Sequence, residues 1–173
     1  MQALRITDGD HIAGNKQAKN ILIQYGDYEC PACKHAFLSM QLVKKHFGEK
    51  LQFVFRHFPL ADVHAFAEIS AETAEFAGLH HRFWKMHELI YTYQNKLTIP
   101  LLFEFAEKLS LPVNELEVAL QQATFQKKIK KDIESGKALG VTSTPTFFIN
   151  GKKYKGAGNF TDIIQAIEEI FIE

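Results

Sequence analysis

Two cysteines, the only two in this chain of 173 residues, occur together in the segment Cys30-Pro31-Ala32-Cys33. The apolar run at residues 21–25 predicts a strand before them, and the apolar periodicity of residues 31–47 predicts a helix after them. Two intervening residues put the Cα atoms one helical turn apart, at about 5–6 Å, which a disulfide bond requires. We therefore predict a dithiol at a strand-to-helix turn, where the two cysteines can form and break a disulfide with little backbone movement.

The predicted place of Cys30, at the start of the helix, favours its thiolate. Unpaired backbone N–H groups and the positive end of the helix dipole face that position, and Pro31 suits the first helical residue because it has no N–H to leave unpaired. Such an environment lowers a thiol pKa into the range of roughly 3.5–7.5. We predict that Cys30 is the exposed nucleophile, and that Cys33, one turn further and more buried, resolves the mixed disulfide.

A pair of cysteines at this spacing has two other possible roles, in a metal site or in a structural disulfide. Cysteines at this spacing also occur in zinc sites, which need two further ligands. His80, His81 and His87 fall within an apolar helical pattern and are not placed as such ligands, so we predict no metal and no cofactor. A purely structural disulfide is disfavoured as well, because closing so short a loop constrains the unfolded chain very little.

Composition limits the partners and the location. The chain has 20 Lys and Arg against 20 Asp and Glu, a net charge of zero, so we predict no nucleic-acid partner. No run approaches about 18 apolar residues, so we predict no membrane span. Residues 1–10 lack the apolar stretch of a signal peptide, and we expect a cytoplasmic protein; an extracytoplasmic location would follow if a signal peptide had been removed.

The order of predicted elements gives the domain plan. A strand at 21–25, a helix at 31–47 and a strand at 51–58 indicate a crossover with a parallel strand pair. Helical patterns follow from Asp62, a predicted cap, to about residue 140. A strand at 146–149, the Asn150-Gly151 hairpin turn and a last helix capped by Thr161 complete the chain. We predict an arm at 1–20, an α/β domain at 21–60 and 140–173, and an all-helical insertion at 61–139.

Five segments, in order across nearly the whole chain, carry a family resemblance: DHIAG at 10–14, YGDYECPAC at 25–33, FRHFPL at 55–60, FWKMH at 83–87 and GVTSTPTFFING at 140–151. Together they resemble the DsbA-like branch of the thioredoxin-fold family, in particular its small bacterial members. The resemblance implies an α/β thioredoxin-like fold with an inserted all-helical subdomain. It also implies a thiol–disulfide oxidoreductase that acts on protein or small-molecule thiols and disulfides, with a redox partner protein or glutathione as its second substrate.

The resemblance also implies a substrate platform at Thr144 and Pro145. In this family the peptide bond before that proline is cis, and the loop lies against the reactive cysteine. Its backbone groups bind an extended substrate by main-chain hydrogen bonds, much as a strand is added to a sheet edge. We therefore expect Thr144 and Pro145 to bind substrate beside Cys30.

Three departures from the family pattern concern the surroundings of the dithiol. Similar proteins often carry an acidic residue where this chain has Gln24, and an amide cannot take up the proton of Cys33. The residues between the cysteines are Pro31 and Ala32, whereas strong oxidases of the family often have Pro-His; Ala32 adds no charge to stabilise a thiolate. His64-Ala65 replaces a frequent His-Pro, a change that we interpret as local packing.

The roles of the residues flanking Cys30 stay open at this point. Asp27 and Glu29 either raise the pKa of the thiol by their charge or are solvated turn residues. His35 either favours the thiolate when protonated or is a surface histidine. A second function class is also retained, a glutathione-binding transferase or isomerase of the thioredoxin fold, which would not need Cys33.

Overall fold

Strand β2 (Asn20–Gly26) lies at the centre of a five-stranded sheet in the computed structural model, which describes residues 4–156 and 158–170. It pairs in parallel with β3 (Leu51–His57) and antiparallel with β4 (Thr146–Ile149). The edges are β1 (His11–Gly14), antiparallel to β3, and β5 (Lys152–Lys153), antiparallel to β4. The parallel pair is the predicted crossover, with helix α1 (Pro31–Phe47) as its connection.

Helices account for most of the chain between β3 and β4. They are α2 (Ala67–Leu79), α3 (Phe83–Thr92), α4 (Ile99–Lys108), α5 (Val113–Gln121) and α6 (Gln126–Ala138), and a final helix α7 (Phe160–Glu168) follows β5. Short 3₁₀ turns lie at Gly48–Lys50 and Gln94–Lys96. The predicted helical region between the parallel strands and the hairpin is therefore present.

Apolar clusters cover both faces of the sheet. Successive side chains of a strand point to opposite faces, so one strand contributes to both clusters. On β3, Phe53 and Phe55 pack into the core that includes α1, α3 and α7, whereas Val54 faces a smaller cluster with Ile23 and Phe148. Strands that are buried on both faces have nearly continuous apolar runs in the sequence. The carboxyl end of β2 and the start of α1 lie at one edge of the core, and the two cysteines are located there.

Three sequence expectations need correction. The segment predicted as a polar arm contains β1, whose residues are half-buried or exposed and so gave a weak apolar pattern. Helix α2 begins at Ala67 and not at Asp62, because residues 61–66 form turns. Helix α7 is capped by Asn159 and not by Thr161: the Asn159 side chain accepts a hydrogen bond from the backbone N–H of Asp162. The predicted bounds of the α/β domain and of the insertion stay a prediction.

A buried carboxylate joins the edge strand β1 to the helical region. Oε1 of Glu75 accepts hydrogen bonds from Nε2 of His11 at 2.9 Å and from Nε2 of His57 at 2.8 Å, and the Lys128 ammonium lies 3.9 Å away. Burial opposes the charge of Glu75, but the two imidazoles outweigh it and hold the pKa of this carboxyl far below its usual range. The carboxylate therefore stays ionised and links β1, β3, α2 and α6.

Replacement of Glu75 by alanine is expected to lower the free energy of unfolding by about 2–4 kcal/mol, because two largely buried imidazoles lose their acceptor. Since the pKa of Glu75 is lowered on folding, its contribution is present above the unfolded pKa and is lost as the pH falls. Urea unfolding of the reduced protein at neutral and acidic pH measures both effects. Glu134→Ala, at an exposed position of α6, is the control; an equal loss in both variants would contradict the assignment.

Candidate active site

The two cysteines lie at the start of α1, as free thiols. Cys30 is the residue before the helix, with an extended backbone, and Pro31 is the first helical residue. Cys30 is 8 % exposed and Cys33 is fully buried, which is the expected order. Cys30 is nevertheless almost buried, contrary to the expectation of an exposed sulfur, because the chain at Thr144 lies against it.

The surroundings drive the pKa values of the two thiols apart. The hydrogen bond from the Cys33 thiol has the largest effect on the pKa of Cys30. The Thr144 side chain and the backbone N–H groups of Ala32 and Cys33 act in the same direction. Together these interactions outweigh burial and lower the pKa of Cys30 to about 5. Burial is the largest influence on Cys33, and with the neighbouring Cys30 it raises the pKa of that thiol. At neutral pH the pair therefore holds one thiolate, on Cys30, and one thiol, on Cys33.

The loop before β4 lies against the dithiol. The Thr144–Pro145 peptide bond is cis, and the Cys30 sulfur lies 3.3 Å from the carbonyl oxygen of Thr144, to which it donates in its protonated form. The hydroxyl of Thr144 is buried and has no hydrogen-bond partner among the described residues. Its side chain is one of the influences that lower the pKa of both cysteines, so this hydroxyl is available to a thiolate.

Thr144→Val is expected to raise the pKa of Cys30 by about 0.5–1.5, because valine keeps the shape of threonine but has no O–H to donate to the thiolate. The ultraviolet absorbance of the thiolate as a function of pH measures this pKa. Thr144→Ser retains the hydroxyl and is the matched control. A valine variant that titrates like the wild type would show that the hydroxyl does not act on Cys30.

A groove with a volume of about 500 Å³ opens beside the cysteine pair. Its walls come from α1, from the loop at Pro145 and from the segment between β5 and α7, and they include Ala32, His35, Pro145, Tyr154, Lys155 and Asn159. The described lining residues carry imidazole, ammonium, hydroxyl and amide groups but no carboxylate. The groove is large enough for an extended peptide segment next to Cys30.

The acidic residues before Cys30 are not solvated turn residues. Asp27 is buried, and its carboxylate accepts hydrogen bonds from the backbone N–H of Glu29 at 2.8 Å and of Leu60 at 2.7 Å. The Glu29 carboxylate accepts from the backbone N–H of Phe66. Both side chains therefore bind the segment at 60–66 to the turn that carries Cys30. The backbone N–H of Asp27 also lies 3.5 Å from the Cys33 sulfur.

His64 is more than a packing residue. Its Nδ1 donates to the Asp27 carboxylate at 2.8 Å, and its side chain is about one-fifth exposed. The interpretation of this position as local packing is therefore incomplete. Sequence reasoning missed the pair because 37 residues separate its members, although both lie in segments that carried the family resemblance.

Gln94 is a second residue that sequence reasoning missed. Its amide donates to the carbonyl oxygens of Tyr28 and Cys30, at 2.8 and 2.9 Å, so it holds the dithiol turn from the helical region. The hydroxyl of Tyr91 donates to the carbonyl oxygen of Asp27 at 3.3 Å. Neither residue lies in a recognisable motif, and only the packing of the helical region against the turn identifies them.

The substituted position Gln24 lies on β2, within the sheet. It is buried, and its Nε2 has no hydrogen-bond partner among the described residues. The side chain therefore offers neither a charge nor an ionisable group at this place. Ala32 lines the groove and adds no charge to it.

Two other kinds of site are absent from the described residues. No group of three or more His, Cys, Asp or Glu side chains there could hold a metal ion. No helix in the same part of the chain is long and apolar enough to cross a membrane.

Sequence comparison places the chain beside known proteins. A family model described as thioredoxin matches residues 6–169. Among curated proteins, the Na(+)/H(+) antiporter NhaA 1 of Salinispora arenicola is 34 % identical over 164 residues, and the NhaA of Herminiimonas arsenicoxydans is 31 % identical over 159. These matches cover 95 % and 92 % of this chain but only 25 % of each antiporter. The chain thus spans about a quarter of the length of these relatives.

Solved structures share the fold. Oxidised BdbD from Bacillus subtilis has a TM-score of 0.85 at 23 % identity, covering 93 % of this chain and 92 % of its own. Wolbachia pipientis alpha-DsbA1 has 0.83 at 19 % identity, covering 97 % and 94 %. Pseudomonas aeruginosa DsbA2 has 0.73 at 24 % identity, covering 96 % and 97 %. The predicted thioredoxin-like fold with a helical insertion, and its likeness to DsbA, are confirmed.

Proposed function

The chain belongs to the thioredoxin family, and we propose that within it the chain is a thiol–disulfide oxidoreductase that exchanges disulfides with protein thiols through Cys30 and Cys33. The observation that carries this proposal is the placement of the two cysteines: Cys30 precedes α1 with its sulfur 3.3 Å from the carbonyl oxygen of Thr144, and Cys33 is buried one turn further along the helix. This placement lowers the pKa of Cys30 and raises that of Cys33. A thiolate is the nucleophile of disulfide exchange. A single reactive thiolate with a protonated neighbour is the charge state that directs attack to one sulfur.

In the oxidising direction, a substrate thiolate attacks the Cys30 sulfur of the Cys30–Cys33 disulfide. The S–S bond breaks, its electron pair goes to Cys33, and Cys33 takes up a proton. A second substrate thiolate then attacks the substrate sulfur of the mixed disulfide. Cys30 leaves as a thiolate, so that the substrate has lost two electrons and the protein has gained two. The low pKa of Cys30 makes it a good leaving group in this step.

In the reducing direction, the Cys30 thiolate attacks a substrate disulfide and Cys33 then attacks Cys30. Cys33 must lose its proton before it attacks. In either direction a second reagent, a redox partner protein or glutathione, returns the cysteine pair to its starting state.

The groove beside Cys30 supports a polypeptide as the substrate. An extended segment laid along it would pass Pro145, the residue after Thr144, and meet the side chains of His35 and Lys155. Main-chain hydrogen bonds would hold such a segment with little dependence on its side chains. The cationic and polar lining adds a preference for segments without a net positive charge.

The test is transfer of the disulfide to a reduced peptide that contains two cysteines. Oxidised protein mixed with an equal amount of peptide should yield a peptide disulfide, seen in mass spectrometry as the loss of two hydrogens, together with reduced protein. Cys30→Ser should transfer nothing. If the oxidised wild type left the peptide reduced while glutathione disulfide oxidised it under the same conditions, the proposed function would be wrong.

A further inference from the structure

One carboxylate joins His64 to the residue that precedes the reactive cysteine. Oδ1 of Asp27 accepts from the backbone N–H of Glu29, and Oδ2 accepts from Nδ1 of His64. Asp27 is fully covered, whereas His64 reaches the surface. The hydrogen bond to the buried Asp27 carboxylate therefore fixes the imidazole beside the turn that carries Cys30.

The charges around His64 favour its protonated form. Partial burial opposes the charge, but the hydrogen bond to Asp27 and the charges of Asp27, Glu29 and Cys30 outweigh burial and raise the pKa of His64. Electrostatic interaction between two groups acts equally on both. A thiolate that stabilises the imidazolium must in turn be stabilised by it.

The residues between and before the cysteines do not supply a positive charge. Ala32 and Gln24 are uncharged, and the carboxylates of Asp27 and Glu29 oppose a thiolate. Other titratable groups of this region are Cys33 from α1, Tyr91 from α3, and His35, Lys153 and Lys155 on the walls of the groove. His64, from the segment at 60–66, is the cation that the buried Asp27 carboxylate holds against the turn before Cys30.

We propose that His64, held in place by Asp27, supplies a positive charge that stabilises the Cys30 thiolate and thereby shifts the redox equilibrium toward the reduced dithiol. His64 is a positioning residue: it does not exchange disulfides and acts through the charge on Cys30. The inference deepens the proposed function, on which its redox consequence rests. It adds a positive charge to the hydrogen bonds from Cys33, Thr144 and the backbone that already lower the pKa of Cys30.

The first measurement uses the unaltered protein. Oxidation converts the Cys30 thiolate into an uncharged disulfide, so the pKa of His64 should be lower in the disulfide form than in the dithiol form. NMR titration of the His64 ring in both forms measures the difference. Equal titration of His64 in the two forms would overturn the proposal, whether or not the protein exchanges disulfides with a peptide.

The second measurement compares His64→Gln with His35→Gln and His64→Lys. In His64→Gln the pKa of Cys30 should rise by about 0.5–1. The equilibrium with glutathione should shift about three- to tenfold toward the disulfide form, and a tenfold shift corresponds to about 30 mV. His64→Lys keeps a positive charge and should restore most of the wild-type titration. A glutamine variant with an unchanged pKa for Cys30, or a larger change in His35→Gln, would contradict the assignment.

Discussion

Replacement of Cys33 by serine is expected to turn the transient mixed disulfide, formed when the Cys30 thiolate attacks a substrate disulfide and releases its other sulfur as a thiolate, into a stable covalent complex. Serine cannot attack the Cys30 sulfur, so the complex formed by Cys30 has no internal route to resolution. Turnover in disulfide exchange should fall by roughly two orders of magnitude or more, because release then depends on external thiols. Non-reducing gel electrophoresis of the variant with a disulfide-containing protein measures the complex.

Cys30→Ser is the matched control for this experiment, since it changes the other sulfur of the same pair. It should form no complex and show no turnover, because the buried Cys33 is neither ionised nor accessible. Should Cys30→Ser form the complex while Cys33→Ser does not, the roles of the two cysteines would be the reverse of those assigned.

Alkylation of the reduced protein is expected to follow the ionisation of Cys30. The pKa of about 5 predicts a rate with iodoacetamide that is nearly constant from pH 7 to pH 6. Below pH 5 the rate should fall about tenfold for each unit of pH, because only the thiolate reacts. Mass spectrometry of the digested protein should locate the label on Cys30, with Cys33 unlabelled in the folded state.

The same ionisation makes the stability of the reduced protein depend on pH. The pKa of Cys30 is lowered on folding, from 9.0 to about 5, so its contribution is complete above the unfolded pKa and is lost as the pH falls toward the folded one. The dithiol form should therefore lose stability relative to the disulfide form between about pH 9 and pH 5. An alkylation midpoint near the ordinary value of a thiol would contradict both expectations.

The local features of the site could be predicted from the sequence. The positions of Cys30 and Cys33 follow from a strand, a proline and a helical pattern, which act over a few residues. The same is true of α1, whose predicted bounds are those found. The contact of Thr144 with Cys30 spans 114 residues and came from the family resemblance, since no local rule connects the two segments.

The remaining features depend on packing between distant segments. Strand β1 has no fully buried residue and owes its conformation to its pairing with β3. The predicted effect of the Thr144 hydroxyl on Cys30 depends on the absence of any other hydrogen-bond partner among the described residues. The Asp27–His64 pair and the contacts of Gln94 also join separate elements. A buried polar side chain needs a hydrogen-bond partner, but the sequence does not show which distant residue that partner is.

The equilibrium between the protein and glutathione tests the central claim most directly. Reduced protein in glutathione buffers of graded composition should convert to an intramolecular Cys30–Cys33 disulfide in a two-electron transition. The lowered pKa of Cys30 predicts a potential between those of thioredoxin and DsbA, roughly −270 and −120 mV. A protein that stays reduced throughout, or that gains one glutathione on Cys30 and never forms the internal disulfide, would contradict the claim; the second result would instead indicate a glutathione-binding transferase.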